Sequence, residues 1–152
     1  MSYVVNRICS QTMALVPYAH TRYQTMICRE DGNFYSTLSC TELLEDACHR
    51  TGSSTKGKRE AIKACLQFKQ NIPIPLHYEK NICAIPSQSP DKWECTWYFY
   101  AYIKDIRPQD KKTVLIFHNN SELLIDSSVY HTKQQLLKAA RILTHFKISS
   151  QG

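Results

Sequence analysis

Cys95-Thr96-Trp97-Tyr98-Phe99-Tyr100-Ala101-Tyr102-Ile103 alternates without a break: Cys95, Trp97, Phe99, Ala101 and Ile103 fall on one side, and Thr96, Tyr98, Tyr100 and Tyr102 on the other. A strict period of two is the pattern of a strand with one face on a core, so sheet is the organising element of this chain. The reading predicts one strand over this stretch, with a row of tyrosines on its second face. Upstream, Pro86-Ser87-Gln88-Ser89-Pro90 reads as a loop and residues 82–85 as a short strand. Pro73 and Pro75, interleaved with Ile74 and Leu76, imply an extended edge segment, because proline cannot donate to a ladder.

Two hairpins stand out further away. Residues 23–28 and 34–38 flank Glu30-Asp31-Gly32-Asn33, where Asp-Gly supplies the positive φ of a tight turn. Residues 113–117 and 122–125 flank Asn119-Asn120, a pair that tolerates left-handed backbone. Between these strand signals the period changes. Leu43, Leu44, Ala47 and Cys48 fall at helical spacing, with Ser39 or Thr41 as a cap and Gly52 as a terminator. A second helix follows, with Ala61, Ile62, Cys65 and Phe68 on its apolar face and Lys56, Arg59, Lys63 and Gln67 opposite. Its first turn is expected at Gly57-Lys58-Arg59, which leaves Lys58 near an exposed N-terminus. Thr132 with Gln135 forms a capping-box signature for a last helix over about 132–147, whose apolar side is Leu136, Leu137, Ala140, Leu143 and Phe146. The fold class is therefore α+β: one domain over 1–152, mainly antiparallel sheet, with two short helices in the middle and one at the C-terminus.

At 152 residues such a domain buries a real core without disulfides or metal. The start has no cationic segment followed by an apolar run, and nothing approaches the ~18 apolar residues of a membrane helix. A soluble cytoplasmic protein is expected, with no membrane partner. Seven cysteines, an odd number without a Cys-x-x-Cys pair, read as reduced and mostly buried thiols.

Charge is concentrated in one place. Residues 49–63 hold Arg50, Lys56, Lys58, Arg59 and Lys63 against Glu60 alone, so five cations less one anion leave +4 of the chain's +6 there. Such a field attracts a polyanion, and backbone N–H groups freed at a Gly-Ser turn before a helix add hydrogen bonds to phosphate. The plainer explanation is a solvated helix face. Two glycines and paired serines favour the former, because close approach to a phosphate backbone needs a permissive main chain. Gly52 to Arg59 comes within one residue of a nucleotide phosphate loop. Arg59 replaces the hydroxyl that would ligate magnesium, however, and a helix rather than a buried strand precedes the turn.

Other constellations carry less. Tyr98, Tyr100 and Tyr102 form either a base-stacking platform or a second packed face beneath a helix. Cys48-His49 is an adjacent pair, and no other candidates sit at structural zinc spacing. No nucleophile elbow or zinc-protease motif is present, so neither an enzyme nor a cofactor is expected.

Cys48-x-x-x-Gly52-Ser53-Ser54-x-x-Gly57-Lys58, then Pro73-Ile74, Ile85-Pro86 before a serine-rich loop, and Cys95-x-Trp97 together resemble the ComK family of competence transcription factors. The likeness runs over nearly the whole chain. It implies an activator of DNA-uptake genes that binds A/T-rich promoter boxes through the minor groove as a homodimer or tetramer, nucleoid-associated when bound. The MecA adaptor and Clp protease are implied as possible partners. Gly52, Ser53, Ser54, Gly57 and Lys58 carry over as the family's central motif, while DNA contacts for Arg50, Lys56, Arg59 and Lys63 are read from charge. The competing reading keeps the fold in an adaptor or antagonist that binds another regulator through the tyrosine face or the final helix.

Overall fold

The computed structural model describes residues 4–151, with side chains as far as residue 147. Strands β1 (Thr12–Pro17), β2 (Thr25–Arg29) and β3 (Gly32–Ser36) form one antiparallel meander; β4 (Ile74–His77), β5 (Ile82–Pro86) and β6 (Trp97–Phe99) form a second. β1 pairs with β6, which joins them into a six-stranded sheet of order β3-β2-β1-β6-β5-β4. Between the meanders run α1 (Cys40–His49) and α2 (Thr55–Leu66). β7 (Ile103–Gln109), β8 (Lys112–Phe117) and β9 (Glu122–Ile125) make a separate three-stranded sheet, and α3 (Val129–Gln151) ends the described chain. The α+β expectation holds in class, helix order and hairpins.

The large sheet is packed on both faces. Leu15, Ile27, Trp97 and Phe99 meet Leu43, Leu44 and Cys48 of α1 on one side. Ala14, Cys28, Ile85 and Tyr98 meet Leu115 and Phe117 of β8 and Ala139 and Leu143 of α3 on the other. Alternate residues of a strand point to opposite faces, so Trp97 and Tyr98 belong to different cores.

Local expectations fare differently according to whether their cause is local. Gly32 takes φ 133 in the first hairpin and Asn120 takes φ 69 in the last, as the turns require. The proline-bearing β4 lies on the sheet edge. Ser39 is the α1 cap, accepting from the Glu42 N–H while the Glu42 carboxylate accepts from the Ser39 N–H, a complete capping box.

Several expectations are corrected. The long alternation from residue 95 is not one strand: β6 ends at Phe99, and a 3-10 turn over Tyr100–Tyr102 carries the chain into the second sheet. A change of sheet requires such a break, and period two gives no sign of it. The row of tyrosines therefore does not exist as a platform; Tyr98 is wholly buried beneath α3. The last helix begins three residues before Thr132, where Ser128 accepts from the His131 N–H. Thr132 and Gln135 are buried: the Thr132 hydroxyl donates to the Ser128 carbonyl at 2.8 Å, and the Gln135 amide donates to the carbonyls of Asn71 and Pro86. Leu143 is buried as expected, but Leu137, placed on the same apolar side, is 64 % exposed, while Ala139 and Ile142 are buried.

In α2 the expected apolar face is rotated. Thr55, Ile62 and Leu66 are buried, Ala61 and Cys65 are exposed, and Phe68 lies past the helix end, where Gln67 adopts φ 60. Leu66, four residues after Ile62, brings more apolar area than Ala61 or Cys65, and Ile72 and Ile142 complete its cluster.

Leu15→Ala should cost about 2–5 kcal/mol, the range for a fully buried leucine, whereas Leu124→Ala should stay within about 0.5 kcal/mol because that side chain is half in solvent. Urea unfolding of both variants measures the difference.

Candidate nucleic-acid interface

The basic turn is built by its own hydrogen bonds. The Ser53 N–H donates to the Cys48 carbonyl and the Gly52 N–H to the His49 carbonyl, each at 3.0 Å, with Gly52 at φ 78. That pair closes α1 as a Schellman turn, which requires a left-handed residue where Gly52 stands. The hydroxyls of Thr51 and Ser53 also donate to Cys48 O, at 3.0 and 3.1 Å. Ser54 then caps α2, its hydroxyl accepting from the Gly57 N–H at 3.0 Å. A Cβ on Gly57 would lie 3.1 Å from that hydroxyl, so the cap and the glycine fit together. Gly52, Ser53, Ser54 and Gly57 thus shape the main chain, and both serine hydroxyls are already engaged.

One residue absent from the sequence reading fixes the helix pair. The Glu45 carboxylate accepts from the Thr55 N–H at 3.1 Å and from the Thr55 hydroxyl at 2.6 Å. A carboxylate at the first turn of α2 also complements the helix dipole. His49 Nε2 lies 3.1 Å from the same carboxylate. These hydrogen bonds from Thr55, with the nearby charges of His49 and Arg59, hold the Glu45 carboxyl below the usual glutamate range.

With Thr55 turned inward, the cations of α2 separate. Residues 58 and 59 differ by about 100° around a helix and flank the buried seam of Thr55, Ile62 and Leu66 on opposite sides. Lys58 is not at an open N-terminus as expected: it is half-buried, with Nζ 5.4 Å from the centre of the Tyr78 ring. Arg59 and Lys63 line a cleft of about 940 Å³ on the other side. Lys56 is exposed in the first turn. Arg50 is committed elsewhere, donating to the Ile8 carbonyl at 2.9 Å and pairing with Asp46 at 3.3 Å. Among the described residues, Lys56, Lys58, Arg59 and Lys63 take part in no ion pair.

The cleft separates the α1–α2 pair from the 87–92 loop and from the turn before α3, and it gathers Lys69 and Lys92 with Arg59 and Lys63. Glu45, Asp91 and Asp126 also line it, but Glu45 is engaged by Thr55 and His49. Lys69 and Lys92 are single lysines in polar segments, so no spacing in the sequence marked them. Beside the cleft, Lys138 and Arg141 of α3 place their cationic groups 5.7 and 5.6 Å from the centre of the Phe68 ring. Convergence of residues 59, 63, 69, 92, 138 and 141 is tertiary.

The ComK protein family matches residues 1–151 of this sequence. The chain belongs to that family. It is also 22 % identical over 148 residues to the competence transcription factor of Bacillus subtilis (strain 168), covering 96 % of this chain and 76 % of that protein. No solved structure gives a significant match. The family match takes in both meanders, the basic turn and α3.

Burial pushes the Cys28 and Cys40 thiols up to about 11 and raises Cys48, Cys83 and Cys95 as well, which keeps these five protonated near neutrality. Among the described residues no group of three His, Cys, Asp or Glu side chains is placed to hold a metal. No helix among them is long and apolar enough to cross a membrane.

Because the folded Glu45 carboxyl is depressed, its contribution to stability is present above the ordinary glutamate range and disappears as pH falls through the folded value. Glu45→Gln should therefore be less stable than the parent at neutral pH, with the gap closing in acid. Urea midpoints of the two proteins across that range check the sign; a gap that widened in acid would contradict it.

Proposed function

We propose that this chain is a transcription regulator of competence genes that binds A/T-rich promoter DNA, with Arg59, Lys63, Lys69 and Lys92 holding phosphates along the cleft. The observation that carries the reading is the gathering of these cations on one cleft without carboxylate partners in ion pairs among the described residues. Membership of the ComK family and the named Bacillus relative support the regulatory side of it. Lys56 adds charge at the cleft's approach and Lys58 from the far side of α2. Gly52, Ser53, Ser54, Gly57 and Arg50 form the frame that presents them.

Phosphate neutralisation supplies salt-sensitive affinity, and A/T preference comes from the width and deformability of the minor groove rather than from a full base-edge code. Arg59 suits a narrow groove, where its planar fork and weak hydration favour entry. Action as a homodimer or tetramer on paired boxes, cytoplasmic and nucleoid-associated, and turnover through MecA and Clp protease complete the proposal by resemblance to the family. The competing adaptor reading has one surface in its favour: Tyr130 and Leu137 of α3 are 74 % and 64 % exposed. Retention of an A/T-box duplex in a gel shift, followed by a footprint, favours the regulator; capture of a protein regulator with no duplex retention favours the adaptor.

Arg59→Ala with Lys63→Ala should weaken binding to an A/T-box duplex and lower the slope of log K against log salt by about 0.9 for each phosphate that is no longer neutralised. Arg50→Ala should instead lower stability and leave that slope in place. Fluorescence anisotropy at several salt concentrations separates the two, and an unchanged slope in the double variant removes Arg59 and Lys63 from the interface.

A further inference from the structure

The chain has two tryptophans, and they sit in opposite environments. Trp97 is 2 % exposed in the core, whereas Trp93 is 62 % exposed. A tryptophan left in water forgoes a large burial gain, and tryptophan is enriched at contact surfaces. Trp93 is displayed by a stitched loop. The Ser87 N–H donates to the Thr96 carbonyl at 2.8 Å, and the Thr96 N–H to the Ser87 hydroxyl at 2.9 Å. Inside that closure the Lys92 N–H donates to Ser89 O at 3.0 Å and the Cys95 N–H to Lys92 O at 3.2 Å. The loop that carries the ring is thus closed by its own hydrogen bonds. Its neighbour Lys92 lines both the basic cleft and a smaller one of about 300 Å³ that Trp93 itself lines.

We infer that Trp93 stacks on DNA bases at the edge of the basic cleft, with Lys92 anchoring the adjoining phosphate. The inference rests on the DNA-binding reading above and adds an aromatic wedge to it. Cations that position a backbone beside an exposed aromatic ring on a closed loop are the elements of a protein that unstacks and bends a duplex. Partners of other chemistry also use tryptophan, and Asp91 and Glu94 offset Lys92 within the loop, but Arg59, Lys63 and Lys69 across the cleft favour a polyanion. The site replaces the tyrosine row, which burial of Tyr98 removes as a platform.

Tryptophan fluorescence gives a direct test. In the free protein, acrylamide should quench Trp93 and leave Trp97 largely untouched, so Trp97 also reports that each variant is folded. Titration with an A/T-box duplex should quench the Trp93 emission and shield it from acrylamide, over the same concentrations that produce the gel shift. Trp93→Ala should bind roughly five- to a hundredfold more weakly and bend the duplex less, with Trp93→Phe retaining most of both. Wild-type binding with Trp93 still open to acrylamide, or a Trp93→Ala variant that binds as tightly as the parent, overturns the inference and leaves the DNA-binding reading standing. A wild-type protein that retains no duplex overturns both. Shielding of Trp93 that follows protein concentration without DNA assigns the ring to a contact between copies and also overturns the inference.

Discussion

Two strand pairings, Ala14 with Tyr98 and Leu15 with Trp97, join the halves of the large sheet. Each meander alone is three short strands with an unpaired edge, a form that is stable only when a hydrophobic face is covered. The β1–β6 seam lies between them and consists of residues that are almost fully buried. It also decides where the helices go. β3 and β4 are the opposite edges of the sheet, and α1 and α2 connect them. Five inter-strand steps of about 4.8 Å separate those edges, so the connection must cross a whole face. Helices of 10 and 12 residues supply about 15 and 18 Å, enough to cross in two legs with a bend between. The basic turn is that bend.

The rotation of α2 about its own axis is set at two points. Near the start, the Glu45 carboxylate draws Thr55 inward through two hydrogen bonds; further along, Ile62 and Leu66 pack against Ile72 and Ile142. With both ends fixed, Lys58 and Arg59 have no freedom to share a side. Arg59 goes to the cleft and Lys58 to the Tyr78 ring. Glu45 therefore influences the cleft through orientation, and its engagement with Thr55 and His49 also occupies a negative charge that would oppose a phosphate.

What the sequence disclosed depended on how far away the cause lay. Asp31-Gly32, Asn119-Asn120, the Ser39 and Glu42 cap and the edge prolines act within a few residues, and each does in the fold what its chemistry predicts. The failures have tertiary causes. Thr132 and Gln135 copy a capping box, yet Gln135 serves the carbonyls of Asn71 and Pro86, far away in sequence. The alternation after Cys95 continues through a change of sheet because residues of the turn, Tyr100 and Tyr102, are themselves half-buried against the second core. Of the cations at residues 49–63, Arg59 and Lys63 line the cleft, Arg50 and Lys58 are turned elsewhere, and Lys69, Lys92 and Trp93 had no pattern to reveal them.

A cationic surface assembled from α2, the segment after it and a loop between β5 and β6 behaves differently from a basic helix. Its cations are brought together only by the folded sheet, so their mutual repulsion is felt in the native state more than in the expanded chain, where they lie further apart. Asp91 and Asp126 at the same cleft reduce that cost in the free protein. A polyanion entering the cleft would exchange these attractions for its own, so its net gain depends on geometry that brings phosphates nearer to Arg59, Lys63, Lys69 and Lys92 than to the carboxylates. That requirement favours a backbone of fixed spacing over a mobile anion, and for the proposed DNA ligand it would make the position of the 87–92 loop, held by the Ser87–Thr96 closure, as important as the charge on α2.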